Sequence, residues 1–453
     1  MSKSAEARSV ASRSRSLWRH PDFMKLWTGE TISQLGTQVT LLALPLTAVV
    51  ILKANAFQVG LLSTLEFLPF ILVGLPAGVW VDRLRRRPIL IAGDLLRALT
   101  LGSIPLAYEL HALHMDQLYL VAFLTGIGTV FFDVAYQAYL PSLVERDQIV
   151  DGNSKLEISR SGAQLAGPGI AGILIQAIKA PVAILVDAVS YLWSAIFVGL
   201  IRRPEAPVDT AATGTRPKMR HEIREGLRYV WRHELLRPIA LCTATGNLFG
   251  SIAFAILILF AVRTLHLKAG EIGVIFALGN VGFLFGAFSA RRIADRIGVG
   301  PAIIWSIGLT SPFYFLVPLA TPSTAFAFLV VEGFAVGWGA MAVYNINQVS
   351  LRQAITPDRM QGKMNATMRF MVWGTIPIGS FLGGVLGRSI GLRPTLWIGA
   401  AGGVLAFLWP LLSPVRRLRV IPGAPAEQIP ETFEAALVAS EEGLPEPGSA
   451  ARP

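Results

Sequence analysis

Long apolar runs recur along the whole chain and restrict what it can fold into. Twelve such runs are separated by polar segments. Each is long enough to cross a bilayer as a helix, for which about 20 apolar residues suffice. A soluble domain carries about 25% charged residues, whereas this chain of 453 residues carries 15%. We therefore predict an all-α polytopic membrane protein with twelve transmembrane helices at 26–51, 57–80, 89–110, 117–140, 156–178, 182–201, 238–262, 271–290, 301–320, 323–348, 366–387 and 394–413.

The basic residues predict how these helices are oriented. Five charges crowd into the turn 82–87 between the second and third runs, and four of them are Arg. Charges enter hydrocarbon only at high cost, and Lys and Arg collect in cytoplasmic loops. If this turn is cytoplasmic, the inside segments hold 31 of the 40 Lys and Arg residues and the outside loops hold 6. We expect a multi-pass protein of the cell inner membrane with both termini cytoplasmic, and the net charge of +11 then reflects topology rather than nucleic-acid binding.

The two halves of the chain repeat each other. Aligning His20 with His233 and continuing without a gap also places Gly60 on Gly273. In the later part of each half, the alignment shifted by one position places Gly172 on Gly384, within runs of matching hydropathy. The repeat predicts two related six-helix bundles.

The connection between the halves is long and basic. It ends in a stretch where Ile223, Leu227, Val230 and Trp231 recur at helical spacing among arginines, which is typical of an amphipathic helix on a membrane surface. The tail after residue 420 is rich in Pro and Glu and has too few apolar residues to pack. The predicted organisation is a cytoplasmic N-terminal segment 1–25, a bundle 26–201, a cytoplasmic linker 202–237, a second bundle 238–413 and a disordered cytoplasmic tail 414–453.

Two motifs resemble a known family. The loop Gly78-x3-Asp82-Arg83-x-x-Arg86-Arg87 resembles the inner loop of the major facilitator superfamily, although Leu84-Arg85 stands where that family has Gly after the Arg. The fifth run resembles the Gly-Pro motif of proton-coupled drug antiporters, and segments 132–141 and 187–191 resemble the macrolide-efflux and enterobactin-exporter branch. The antiporter motif comprises Gly162, Gly167, Pro168 and Gly172.

These resemblances imply a function. They imply the major facilitator fold, with export of a small amphipathic molecule (a drug, macrolide or siderophore-like compound) in exchange for protons by alternating access. Small residues also let two helices approach closely and Pro bends a helix, so a plain packing seam is the alternative interpretation of the Gly-Pro motif.

Ionisable residues inside the runs are candidates for proton coupling, because such residues are costly in a bilayer and usually functional. Arg97 follows Asp94 by three positions, so the two share a helix face and can form a permanent structural pair instead. Glu66 has no evident partner in its own run. The candidates are Glu66, Asp94, Asp133, Arg97 and Arg160.

The resemblance also assigns gating and substrate residues. The basic loop would latch the inner face, with Gly78, Asp82, Arg83, Arg86, Arg87 and the equivalent Asp295 and Arg296 as gating residues; a helix cap and a topology signal are the alternatives. The first, fourth, seventh and tenth helices line the cavity in this superfamily. Their candidates, each of which could be a helix–helix hydrogen bond instead, are Gln34, Gln38, Asp133, Tyr136, Asn247, Glu332, Trp338 and Asn345.

The sequence predicts no enzyme, cofactor or metal site. The Gly-rich pieces lie inside apolar runs without Gly-Lys-Ser/Thr, and one cysteine gives no nucleophile–base set. The expected partners are a small-molecule substrate, protons and membrane lipid, with no nucleic acid, for a monomeric protein. Two other functions stay open: an importer or facilitator of the same fold, and a membrane scaffold or sensor.

Overall fold

The computed structural model describes residues 17–145, 148–205, 219–329 and 337–422, and within these ranges the chain is helical without strands. The helices of the first half are α1 Pro21–Leu46, α2 Ala56–Leu72, α3 Gly74–Arg83, α4 Arg86–Glu109, α5 Met115–Leu143, α6 Ile149–Ile178 and α7 Ala180–Gly199. A linker helix, α8 Met219–Arg232, follows. The second half contains α9 Leu236–Arg263, α10 Ala269–Ile297, α11 Val299–Tyr314, α12 Leu316–Leu319, α13 Ala325–Leu329, α14 Trp338–Ile355, α15 Asp358–Trp373, α16 Thr375–Ser389, α17 Leu392–Val404 and α18 Leu408–Leu411.

Wherever the chain is described, the predicted runs coincide largely with helix. In these ranges nine continuous helices are long and apolar enough to cross a membrane, and Ala56–Leu72 and Val299–Thr310 are shorter apolar helices. The difference from twelve arises where a run is interrupted: α2 and α3 share the second run, α11 and α12 the ninth, and α13 and α14 flank the undescribed residues of the tenth. The interruptions do not change the all-α polytopic fold that the hydropathy predicts.

Helix ends reflect the internal repeat at atomic level. The Nδ1 atom of His20 accepts a hydrogen bond from the backbone N–H of Phe23 at 3.1 Å, at the start of α1. The Nδ1 atom of His233 accepts from the N–H of Leu236 at 3.4 Å, at the start of α9. The alignment that places His20 on His233 also places Phe23 on Leu236, so it relates donor to donor and acceptor to acceptor. His20 is the N-cap of α1, whereas His233 lies two residues before the N-cap of α9, Leu235, whose N–H also donates to it at 3.1 Å. The repeat is therefore kept in the histidine and its backbone donor, but not in the exact cap position.

The turn between α3 and α4, residues 84–85, marks one end of the molecule, here called the basic end. The opposite end carries the turns 52–55 and 264–268. At the basic end each half has its own hydrophobic core: one contains Phe23, Leu90 and Tyr139, and the other contains Leu236, Ile303 and Tyr344. Towards the opposite end a single core includes residues of both halves. The halves are therefore packed together at the opposite end and separated at the basic end.

Two glycine crossings close the opposite end. Gly60 of α2 contacts Gly384 of α16, where a Cβ on Gly60 would lie 2.7 Å from the Gly384 nitrogen. Gly172 of α6 contacts Gly273 of α10, where a Cβ on Gly172 would lie 2.9 Å from the Gly273 Cα. The repeat pairs Gly60 with Gly273 and Gly172 with Gly384, so the two crossings are related by the pseudo-symmetry of the halves. Arg263 adds hydrogen bonds of 2.8 Å to the carbonyls at 53 and 54 across the same boundary.

Candidate functional site

A cavity of about 560 Å³ lies between the halves. Its wall comes from α1, α2 and α6 of the first half and from α9, α10, α11, α12, α14, α16 and α17 of the second. Aliphatic side chains and glycines make up most of it, together with several aromatic rings and a few amides and hydroxyls. Among the described lining residues, Glu66 of α2 is the one carboxylate. The aromatic and polar lining residues include Phe67, Phe254, Phe283, Trp338, Thr40, Ser63, Asn247 and Asn280.

A second cavity, of about 350 Å³, lies one helical turn further along α2 towards the basic end. Phe70 of α2 lies 5.1 Å from Trp373 of α15, measured between ring centroids. The guanidinium of Arg369 lies 4.9 Å from the centre of the Trp373 ring. This second cavity therefore also separates the two halves and extends the space between them towards the basic end.

Glu66 lies in the middle of α2. Ion pairs within the described ranges do not include it. Its backbone carbonyl and the ring of Pro69 lie against Gly126 of α5, where a Cβ would lie 2.9 Å from the Pro69 Cγ atom. Close packing of α2 on α5 thus fixes the position of the Glu66 carboxylate along the length of the cavity.

A buried arginine forms the centre of a separate polar cluster inside the first half. Arg97 of α4 is 4% exposed and donates from Nη2 to Asp94 Oδ1 at 2.5 Å. Its guanidinium carbon lies 4.2 Å from the centre of the Phe132 ring and 4.1 Å from the centre of the Tyr191 ring. A cation between two aromatic faces is attracted by both ring quadrupoles. The pair that the spacing of 94 and 97 predicts is therefore formed, and two rings hold it in place.

Three further carboxylates interact electrostatically with Arg97. Glu30 of α1 accepts a hydrogen bond of 2.6 Å from Gln34 Nε2. Asp187 of α7 is completely buried and accepts one of 3.1 Å from Ser190 Oγ. Asp133 of α5 is the third, and it also interacts with Arg160 and Arg369. The cluster thus contains four carboxylates and one buried arginine, which cannot neutralise all of them if they are ionised.

The structure divides the predicted proton-coupling residues into two places. Asp94, Arg97 and Asp133 lie together in the arginine cluster, with Arg160 exposed at its edge, whereas Glu66 lies apart in the cavity. Glu30 and Asp187 belong to the cluster but are missing from the predicted set. A signal for each was present in the sequence: Gln34 follows Glu30 by four positions and Ser190 follows Asp187 by three, spacings that bring side chains together on a helix.

Within the described residues, the gating candidates of the first half make contacts inside that half. Glu205 accepts hydrogen bonds from the backbone N–H of Arg86 at 2.8 and 2.9 Å and lies 3.4 Å from its guanidinium. Arg87 donates to the carbonyls of Val198, at 3.1 Å, and of Gly199 at the end of α7. In this conformation the arginines therefore tie the start of α4 to the end of α7.

The other gating candidates lie close to the basic end. Gly78 lines the second cavity, and Arg83 is exposed at the end of α3. Asp295 and Arg296 are exposed at the end of α10, where Asp295 lies 3.8 Å from Arg291. The side chain of Asp82 lies outside the described part of the chain.

The Gly-Pro motif in α6 serves several contacts. Gly162 faces open space, whereas Gly167 packs against the side chain of Gln38 in α1. The carbonyl of Pro168 faces Gly273, and Gly172 packs on the same helix, α10. The end of the motif therefore forms a seam between the two halves.

The substrate candidates are distributed over different environments. Asn247 and Trp338 line the main cavity, and Asn247 donates to the carbonyl of Val372 at 3.1 Å. Gln34 is bonded to Glu30, and Tyr136 stacks on Phe132 with ring centroids 5.8 Å apart. Asn345 is half-buried in α14 outside the described cavity walls, and Glu332 lies outside the described residues.

The family follows from comparison with known proteins. The model of the family MFS_3, described as a transmembrane secretion effector, matches residues 14–444. The chain belongs to this family of major facilitator transporters. It is 26% identical to the multidrug efflux pump Tap of Mycolicibacterium fortuitum over 375 residues, 80% of this chain and 88% of Tap. It is 23% identical to macrolide efflux protein A of Streptococcus pyogenes over 409 residues, 87% of this chain and 97% of that protein.

A solved structure shows the same fold. A bacterial homologue of the iron transporter ferroportin, in an inward-facing state, superposes with a TM-score of 0.69 at 16% identity and covers 86% of this chain and 98% of its own. The major facilitator fold that the motifs indicated is therefore confirmed. The protein is a multi-pass membrane transporter whose relatives are efflux pumps.

Proposed function

We propose that this transporter exports a small amphipathic molecule in exchange for protons, by alternating access of the cavity between its halves. The observation that carries the proposal is the carboxylate of Glu66 on the wall of a largely apolar cavity between the halves, which pack closely at one end through two glycine crossings. Relatives named as drug and macrolide efflux pumps support the direction and the substrate class. Midplane sites between the halves are the expected geometry for such transporters.

The distribution of Lys and Arg supports a cytoplasmic position for the basic end and for both termini. With this orientation, the cavity is accessible from the cytoplasm and sealed towards the outside by the crossings Gly60–Gly384 and Gly172–Gly273. A cytoplasmic substrate can then enter through the second cavity. The aromatic and aliphatic side chains that line the main cavity suit the apolar part of an amphipathic molecule.

The coupling step uses the low dielectric of the cavity. An unpaired carboxylate in apolar surroundings is stable only when it is protonated or pairs with a cation. A proton taken up from outside would neutralise Glu66. A substrate that arrives from the cytoplasm with a cationic group would pair with the carboxylate, and the proton would leave to the cytoplasm. Glu66 therefore cannot hold the proton and the substrate at the same time, which is the basis of exchange.

The arginine cluster is the second part of the proposed coupling. Asp94 stays paired to Arg97. The number of protons bound to Asp133 and to the other carboxylates around this arginine depends on the surrounding charges. Arg160 of α6 and Arg369 of the second half interact electrostatically with Asp133. Rocking of the halves moves Arg369 relative to Asp133 and so links protonation to conformation.

The basic loop would act when the inner face closes. Asp82-Arg83 and their repeat equivalents Asp295-Arg296 end α3 and α10, and closure brings these helix ends towards the other half. An Arg there can pair with a carboxylate across the boundary. This latch is proposed for the conformation that is closed at the basic end.

The experiment exchanges Glu66 for Gln, which keeps the shape and removes the charge. Glu66→Gln should abolish macrolide efflux from whole cells while leaving membrane expression intact. The matched control is Glu109→Gln, at the exposed end of α4 near the sealed face, which should transport normally. Efflux by Glu66→Gln at the wild-type rate would exclude Glu66 as the coupling residue.

A further inference from the structure

The linker helix α8 presents one strongly basic surface. Arg224, Arg228 and Arg232 recur at every fourth position and are exposed. Leu227 and Trp231 lie beside them and are 44% and 49% exposed. At about 100° per residue, these side chains share one side of the helix. Two large exposed apolar side chains beside a row of arginines are unusual on a surface that faces only water.

The other side of α8 is fixed to the second half. Val230 is fully buried. Gly226 approaches α15 so closely that a Cβ on it would lie 2.8 Å from the carbonyl of Lys363. The ammonium of Lys363 lies 2.7 Å from the carboxylate of Glu225. The helix is thus attached to α15 at Lys363 and at Thr367, which lies within one turn of Arg369.

With the proposed topology, the free side of α8 lies at the membrane–water interface on the cytoplasmic side. A short turn, 233–235, separates it from α9, and it packs on the start of α15, so it lies at the basic end of the membrane-spanning helices. Trp side chains favour this interfacial region. Arginines close to a membrane surface are attracted by anionic lipids.

We infer that α8 is a docking surface for anionic phospholipid headgroups, which bind Arg224 and Arg228 while Leu227 and Trp231 enter the interface. Charge complementarity and the apolar pair both favour a lipid surface over a protein partner. Because the opposite side of α8 is attached to α15, bound lipid holds α15 at the membrane surface. This inference is independent of the substrate and of proton coupling.

The test measures binding of phosphatidylglycerol to the purified full-length protein in micelles, by the increase in thermal unfolding temperature against phosphatidylcholine at equal concentration. Wild type should be stabilised in a saturable manner by phosphatidylglycerol. Arg224→Gln/Arg228→Gln should weaken the apparent affinity on the order of 30-fold, since each arginine near an anionic surface contributes about a factor of five. The conservative Arg224→Lys/Arg228→Lys variant should retain most of the effect.

The control removes two exposed arginines at the same end but outside α8, in Arg291→Gln/Arg292→Gln, which should bind phosphatidylglycerol like wild type. A second readout places a nitroxide at position 231 in a Cys242→Ser background, and its contact with lipid-soluble oxygen should rise in phosphatidylglycerol nanodiscs. Equal loss in the control variant, an unchanged affinity in the Gln variant, or the same stabilisation by inorganic phosphate alone would each overturn the inference.

Discussion

The glycine crossings can be tested by adding one methyl group. Gly172→Ala places a Cβ 2.7 Å from the carbonyl of Ala269 and 2.9 Å from the Cα of Gly273. Both contacts are with backbone, which cannot rotate away as a side chain can. The two helices must separate at this point, and they meet only while the opposite end is closed. We therefore expect the variant to favour the conformation that is open at that end.

The magnitude follows from the difference between the two conformations. Overpacking of this kind costs about 1–3 kcal/mol, and this cost applies only in the closed arrangement. The gain in helix propensity from Gly to Ala, about 1 kcal/mol, acts in both arrangements and cancels. The equilibrium between them should therefore shift by roughly 5- to 150-fold.

The same helix offers a control. Gly162→Ala adds a methyl group where no atom lies within 4 Å, so it keeps the propensity gain without the overlap. Spin labels are placed at His111 and Thr321, in turns at the opposite end of the two halves, in a Cys242→Ser background. Opening of that end should appear as a longer distance between the labels in pulsed electron paramagnetic resonance. Equal distance distributions for Gly172→Ala, Gly162→Ala and the parent protein would refute the crossing as a seal.

Three further predictions concern the supporting contacts. Arg97→Lys keeps the charge but loses the planar stacking between two rings, and should lower the free energy of unfolding by about 2 kcal/mol; wild-type thermal stability would show that the rings contribute little. Glu205→Ala removes an anion from the start of α4 and should cost about 1 kcal/mol in the same thermal assay, with Glu109→Ala as the control. Burial lowers the pKa of His233 below its usual 6.5, so the folded state keeps the ring neutral. Above pH 6.5 the ring accepts hydrogen bonds from the N–H groups of Leu235 and Leu236 and stabilises the start of α9. This stability should decrease as the pH falls below 6.5, because the unfolded chain then binds the proton first, and His233→Asn, which caps without titrating, should show a smaller loss of melting temperature between pH 7.5 and 5.5.

Much of the architecture is predictable from local pattern. The hydropathy of the runs placed the helices, and the internal repeat paired two histidines that each accept a hydrogen bond from the backbone N–H three residues later. Helix ends were less predictable. The helix α6 begins at Ile149, about two turns before its apolar run at 156, because polar residues extend a helix beyond the hydrocarbon.

The site depended more on tertiary structure. The spacing of Asp94 and Arg97 predicts their pair, because it is a contact within one helix. Glu30, Asp187 and the rings around Arg97 come from α1, α7 and α5, and no spacing in the sequence relates these helices. Glu205 was missed for the same reason: its contact with Arg86 joins segments that are far apart in the chain.

The main cavity also departs from the predicted lining. The resemblance pointed to four helices, yet Phe67 of α2 and Phe283 of α10 contribute to the wall as well. Which faces meet depends on how far the halves have separated, and this is a property of the conformation rather than of the sequence pattern.

Proton movement in inside-out vesicles tests the central claim most directly. With an acidic lumen and a pH-sensitive dye inside, addition of a macrolide to the outer medium should raise the luminal pH as the drug enters, and Glu66→Gln should abolish both changes. Drug uptake without a change of luminal pH, or uptake confined to right-side-out vesicles, would contradict export by proton exchange.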